Sequence, residues 1–144
     1  MTRLGRALIP VLLALAAPSV RASALQDNGA GAVSTLEGVY TAAQAARGED
    51  RFRGVCAHCH GIRQFTEPGL FRAWNGRPLR DLFEMVRTLM PDDNPGGLER
   101  RAYADVMAYL LRMNGYPAGA AELLADDAAL RRIRIEVKED TAHR

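Results

Sequence analysis

Cys56-Ala57-His58-Cys59-His60 is the stretch on which the reading of this chain turns. A C-x-x-C-H run has the spacing of a c-type haem attachment site. Two thiols that add across the two vinyl groups of one porphyrin must sit one short helical turn apart. The His directly after the second Cys then falls beneath the iron and offers an imidazole nitrogen as ligand. The plainer uses of the same residues are a dithiol redox pair, half of a zinc site, or a structural disulfide. Zinc takes four ligands, and outside this pentapeptide the chain has no Cys and only His143. A thioredoxin-like pair is framed by strand–helix alternation, and none is visible here. The stretch predicts one covalent haem c, joined through Cys56 and Cys59, with His60 on the iron.

The first residues predict the compartment. Arg3 and Arg6 precede an apolar run from Ala7 to Ala17, and Ala22-Ser23-Ala24 is a small-x-small cleavage site. Together they have the form of a secretory signal peptide over 1–24. The run is well short of the ~20 apolar residues that a membrane span needs, and no Cys lies near the cleavage point to carry a lipid. A mature chain beginning near Leu25, exported to the periplasm and without a span, is expected. Removal of 1–24 leaves 16 basic residues against 17 acidic ones. The pI of 8.8 therefore belongs to the precursor and does not point to nucleic acid. Lys138 is the only Lys, and the Arg residues interleave with acids, as on a mixed solvated surface.

About 120 mature residues make one domain. Residues 25–37, rich in Gly, Ala and Asn, read as a flexible leader. The compact domain is expected over 38–117 and a short C-terminal extension over 118–144. Thr41-Ala-Ala-Gln44 fits a capping box at the start of a first helix. Ala45, Gly48, Phe52 and Val55 then share a face, with Arg47, Glu49, Asp50, Arg51 and Arg53 on the other. Residues 61–78, broken by Gly and Pro, read as a long irregular loop of the kind that wraps something. A second helix is expected from about Pro78 to Leu89, with Leu79, Leu82, Phe83, Val86 and Leu89 as its apolar face. Pro91 ends it. A third runs from about Glu99 to Met113, with Tyr103, Val106, Tyr109, Leu110 and Met113 on one side and Gly115 as stop. Ala118 to Leu130 has room for a short helix, and Ile133 to Val137 alternates like an extended segment.

A haem iron held by His60 has a second axial position. His58 lies inside the attachment turn, while His143 and Lys138 are remote. The candidates are the thioethers of Met85, Met90, Met107 and Met113. Methionine at helical spacing usually fills core. Met90 stands apart at a helix-to-loop exit, where Pro91 biases it toward extended backbone, and it is the expected ligand.

On these residues the chain resembles the class I c-type cytochromes over most of its mature length. Gly48-x-x-x-Phe52-x-x-x-Cys56 is similar to the family's N-terminal helix, and Asp105-Val-Met-Ala-Tyr-Leu110 to its C-terminal helix. In such proteins the Gly permits a close helix crossing, here facing Val106 and Tyr109. Met90-Pro91 is similar to the axial-ligand loop. The resemblance implies an all-α fold, three main helices and loops around one covalent haem. It implies single-electron transfer between redox protein partners rather than catalysis, by a chain that is monomeric when free.

Trp74-Asn-Gly76, Leu79-x-x-Leu82-Phe83, Met90 to Gly97 and Asn114 to Gly119 further resemble cytochrome subunits that serve periplasmic quinoprotein (PQQ) dehydrogenases. That likeness implies electrons passing from an alcohol- or sugar-type dehydrogenase toward a terminal oxidase. It also implies Trp74 beside a haem propionate, with core packing as the plainer role, and Arg72 and Arg77 as surface charges or propionate partners. Docking through a ring of lysines does not suit a chain with one Lys. Two alternatives stay open: a haem sensor or catalyst with a labile sixth site, and a relay module of a respiratory complex.

Overall fold

The computed structural model describes residues 31–66 and 69–137. The expected signal peptide, the first part of the leader, Lys138 and His143 lie outside the described residues.

Thr41 caps the first helix, α1 (Ala42–Arg51), by accepting the Gln44 amide at 3.1 Å. The second half of the expected capping box is not made. Gln44 is buried and turns away to the Leu123 backbone, donating to its carbonyl at 2.9 Å and accepting its amide at 2.7 Å. A buried amide satisfied on both its ends is worth more to the fold than a second cap contact at a solvated helix start. α1 runs on as a π-helical turn, Phe52–Cys56, and so delivers the first thiol directly from a rigid helix.

The segment 61–78 is less irregular than its Gly and Pro content suggests. Two single-turn helices, α2 (Arg63–Thr66) and α3 (Leu70–Ala73), form within it. α4 (Leu79–Leu89) starts one residue after Pro78 and ends at Met90, and α5 (Arg100–Met113) starts after Glu99. A short α6 (Asp127–Arg132), capped by the Asp126 side chain, leads into an extended tail.

The core centres on α5, whose residues 103–111 are all buried. α1 crosses it at Gly48. A Cβ at that position would lie 1.8 Å from the Asp105 carbonyl oxygen and 2.9 Å from the Tyr109 Cβ. No side chain fits there, so glycine is what lets the two backbones meet. The Phe52 ring continues the contact, 5.4 Å from Tyr109 and 5.4 Å from Phe65. The face that helical spacing sets opposite the apolar one also takes part in this crossing. Arg47 grips the buried Asp105 carboxylate with two nitrogens at 3.0 and 3.1 Å and reaches Glu122 at 2.7 Å. Glu49 pairs with Arg53 and, across the crossing, with Arg112.

Part of the expected leader is instead joined to the C-terminal extension. Val33–Ser34 (β1) pairs in parallel with Ile133–Arg134 (β2). Thr35 is buried, and its hydroxyl bonds both the Glu136 amide and the Glu136 carbonyl, at 3.0 and 3.2 Å. On its other side the tail bonds the turn at 75–77 through Gly76 N–H to Ile135 O (2.7 Å) and Ile135 N–H to Arg77 O (2.9 Å). Residues 33–37 are thus part of the folded body. The extension packs on it through Leu123, Leu130, Ile133 and Ile135, each under a tenth exposed. The apolar alternation of Ile133 and Ile135 explains why: their side chains have a core to enter, and β1 completes the hydrogen bonding of the backbone between them.

The described residues are mostly helical with one two-stranded pairing, the all-α class I cytochrome c architecture. None of these helices is long and apolar enough to cross a membrane.

Candidate haem-binding site

Between the π-helical turn, α4 and the start of the 91–97 loop lies a cavity of about 650 Å3, within the range of sites that enclose a sizeable small molecule. Cys56, Cys59, His60 and Met90 all line it. Its walls are apolar, with Phe52, Phe65, Leu70, Leu82, Val86 and Val106 prominent, and its polar edge carries Asp92 and Asp93.

Each donor has a local reason for its place. The Cys59 and His60 amides both return to the Cys56 carbonyl, at 3.2 and 3.0 Å, and this turn sets both thiols and the imidazole at one end of the cavity. Both thiols are free, and burial pushes the Cys56 thiol pKa up. His60 Nδ1 sits 3.0 Å from Gln64 Oε1. An amide oxygen only accepts, so with Oε1 facing the ring Nδ1 is the donor and Nε2 is left free. Orientation of a ligating ring through its far nitrogen is general among metal-bound histidines. The Phe65 ring meets the imidazole edge-on at 5.4 Å. His58, the other ring at the turn, bonds the Gly54 carbonyl through Nε2 at 3.0 Å.

Met90 ends α4 with its amide on the Val86 carbonyl at 2.9 Å and its backbone extended (φ −127°, ψ 149°), as the following proline favours. Met85 also lines the cavity, whereas Met107 is buried in the core of α5 and Met113 packs at its end. The described residues hold no cluster of three or more His, Cys, Asp or Glu that suits a metal ion.

Trp74 is not among the residues lining the cavity. The turn that follows it, 75–77, is hydrogen-bonded to the C-terminal tail. There the Arg77 guanidinium lies 4.1 Å over the indole ring and pairs with Asp81 at 3.0 Å. The indole thus makes a cation–π contact there. One residue was missed. Tyr103 donates its hydroxyl to the Met90 carbonyl at 2.7 Å. Its place on the apolar face of α5 was visible in the spacing, but nothing local marked the hydroxyl as facing that loop.

Two thiols, an imidazole with one nitrogen free and a thioether converge on an apolar cavity, a donor set that fits a covalently held haem. Residues 43–110 match the family model described as Cytochrome C oxidase, cbb3-type, subunit III. No curated protein and no solved structure gives a match. The matched stretch runs from α1 to near the end of α5 and spans the cavity. It supports a c-type cytochrome domain there, and with it haem-based electron transfer between redox partners.

Proposed function

We propose that this chain is a periplasmic electron carrier with one haem c, bound through Cys56 and Cys59, with His60 and Met90 as its axial ligands. The observation that carries this reading is the convergence of those four side chains on one apolar cavity. Bound there, haem supplies a one-electron ferric–ferrous couple. The chain's own contribution is positional. Cys56 and Cys59 anchor, Gln64 holds the His60 ring in one orientation, and Phe52, Leu82, Val86 and Val106 exclude water. Filling both axial positions with protein groups limits rearrangement on electron transfer. A thioether ligand in a low-polarity cavity raises the potential, while the nearby carboxylates Asp92 and Asp93 oppose that rise.

A periplasmic quinoprotein dehydrogenase is the proposed donor and a terminal oxidase the proposed destination, on the likeness of the 74–76, 90–97 and 114–119 loops to dehydrogenase-associated cytochromes. The match to an oxidase-subunit family favours a second reading, in which the same site serves as a relay inside a respiratory complex. Purification of the mature protein with its bound partner distinguishes the two: a quinoprotein supports the first, a membrane oxidase the second. The haem itself is tested by denaturing the protein and extracting with acidified organic solvent. One haem per chain should stay with the polypeptide, and release of the haem would refute the covalent attachment. Binding of an exogenous ligand by the ferrous form at neutral pH would instead support a sensor or catalyst with a labile sixth site.

A further inference from the structure

Tyr103 is 2 % exposed, on the first turns of α5, with its ring 6.4 Å from Phe83 and edge-on to it. Its hydroxyl reaches away from the core to two points on one loop. It donates to the Met90 carbonyl at 2.7 Å, and the Leu98 amide approaches it at 3.4 Å, a longer and weaker contact. These two points are the exit and the return of the 91–97 loop. Between them the chain bonds to itself, Asn94 N–H to Pro91 O at 3.0 Å and Gly97 N–H to Asn94 O at 2.9 Å. The loop is therefore an internally bonded unit tied at its neck by one phenol.

The other side of Met90 is fixed by its amide on Val86 O. With both flanking peptides held, what remains free at Met90 is its side-chain torsions. The phenol in turn stands on the helix that α1 crosses most closely, so it is a rigid reference point within the fold. We infer that Tyr103 is a positioning residue, whose hydroxyl holds the Met90 backbone so that the thioether stays on the cavity. The inference rests on the reading of Met90 as an axial ligand. The phenol touches neither the sulfur nor the place of the haem; it acts through the Met90 carbonyl. Removing it leaves that carbonyl unpaired in a half-buried site, which favours outward movement of the loop.

The test uses the purified haem-loaded ferric protein, with imidazole as competing ligand. Tyr103→Phe keeps the ring and removes the hydroxyl. The weak long-wavelength sulfur-to-iron charge-transfer absorption should persist at neutral pH, while imidazole binds about tenfold more tightly, equivalent to ~1.4 kcal/mol. Tyr109→Phe removes a hydroxyl from a buried tyrosine of the same helix whose ring packs on Phe52, and it should leave imidazole affinity unchanged. An unchanged affinity in Tyr103→Phe, with or without a fall in the denaturation midpoint, overturns the positioning role while the Met90 ligation stands. An equal rise in both variants overturns it likewise. Absence of the absorption from the unaltered protein, or its survival in Met90→Ala, overturns the ligation itself and this inference with it.

Discussion

Met90 and Met85 both reach the cavity, one from the end of α4 and one from within it. The difference lies in what holds each backbone. Met85 is one turn among others, while Met90 sits where helix becomes loop and is pinned at its amide and its carbonyl. Met90→Ala should therefore abolish the sulfur-to-iron absorption, lower the midpoint potential and open the iron to added ligands, and Met85→Ala should preserve the absorption. Gln64 makes a second prediction. By accepting from Nδ1 it increases the electron donation of the His60 ring, which favours ferric iron. Gln64→Leu should raise the potential, by no more than ~60 mV if the bond is worth the usual ~0.5–1.5 kcal/mol, since 59 mV is tenfold for one electron. The pentapeptide was legible because covalent chemistry imposes its spacing locally. Trp74 was not, because its surroundings are a tail some sixty positions away and an arginine three residues on, and no local pattern states which neighbour an indole keeps.

At the scale of elements, the α1–α5 crossing is the most exacting contact. Gly48→Val would drive a branched side chain into the Asp105 carbonyl, an overpacking that costs ~1–3 kcal/mol or more. Phe52→Ala removes a ring wedged between Tyr109 and Phe65, at a cost of ~3–5 kcal/mol. Both should lower the denaturation midpoint sharply while the Cys pair still takes haem. Arg47→Ala should lower it as well, and by more than Arg51→Ala, since it strips the buried Asp105 carboxylate of a two-pronged partner. Equal midpoints for the two arginine variants would show that the ion pair contributes nothing. Helices α4 and α5 were readable from period and caps to within a residue of their ends, and the start of α1 from its cap, although its apolar period runs on into the π-helical turn. The role of Arg47 was not, because helical spacing tells which residues share a face but not that a carboxylate on another helix is buried beneath that face. The two single-turn helices in 61–78 were hidden for a related reason. Each is too short to show a period and forms because tertiary packing, rather than propensity, holds it.

For the molecule as a whole, Glu84 is the point where three helices join. It accepts from Arg87 and Arg100, each at 2.8 Å, and Arg100 continues to the Ala125 carbonyl and to Asp127 on α6. Burial works to raise the Glu84 pKa, but the hydrogen bonds and charges of Arg87 and Arg100 outweigh it and hold the carboxyl below its ordinary value. A carboxyl lowered in this way stabilises the fold fully above its unfolded value of ~4.3, and the contribution is lost as pH falls through the lower folded value. Glu84→Gln should thus be less stable near neutrality and lose less stability between about pH 6 and about pH 3. A loss as steep as that of the unaltered protein would remove Glu84 from the acid response. The joining of the two chain ends was the least legible feature of all. Ser34, Thr35 and Glu136 find one another across about one hundred residues, and neither segment carries a pattern that names its mate.

That joining has a temporal side. Val33 lies opposite Ile133, so the first strand of the folded body has no neighbour until the tail has been made. Ribosomes add roughly 5–20 residues per second, which puts on the order of 5–20 s between the appearance of the two strands. For roughly the last three quarters of that interval Cys56 to His60 have been made and the second strand has not. The strand pairing is thus the contact that waits longest on synthesis, and both cysteines precede it in the order in which the chain is made.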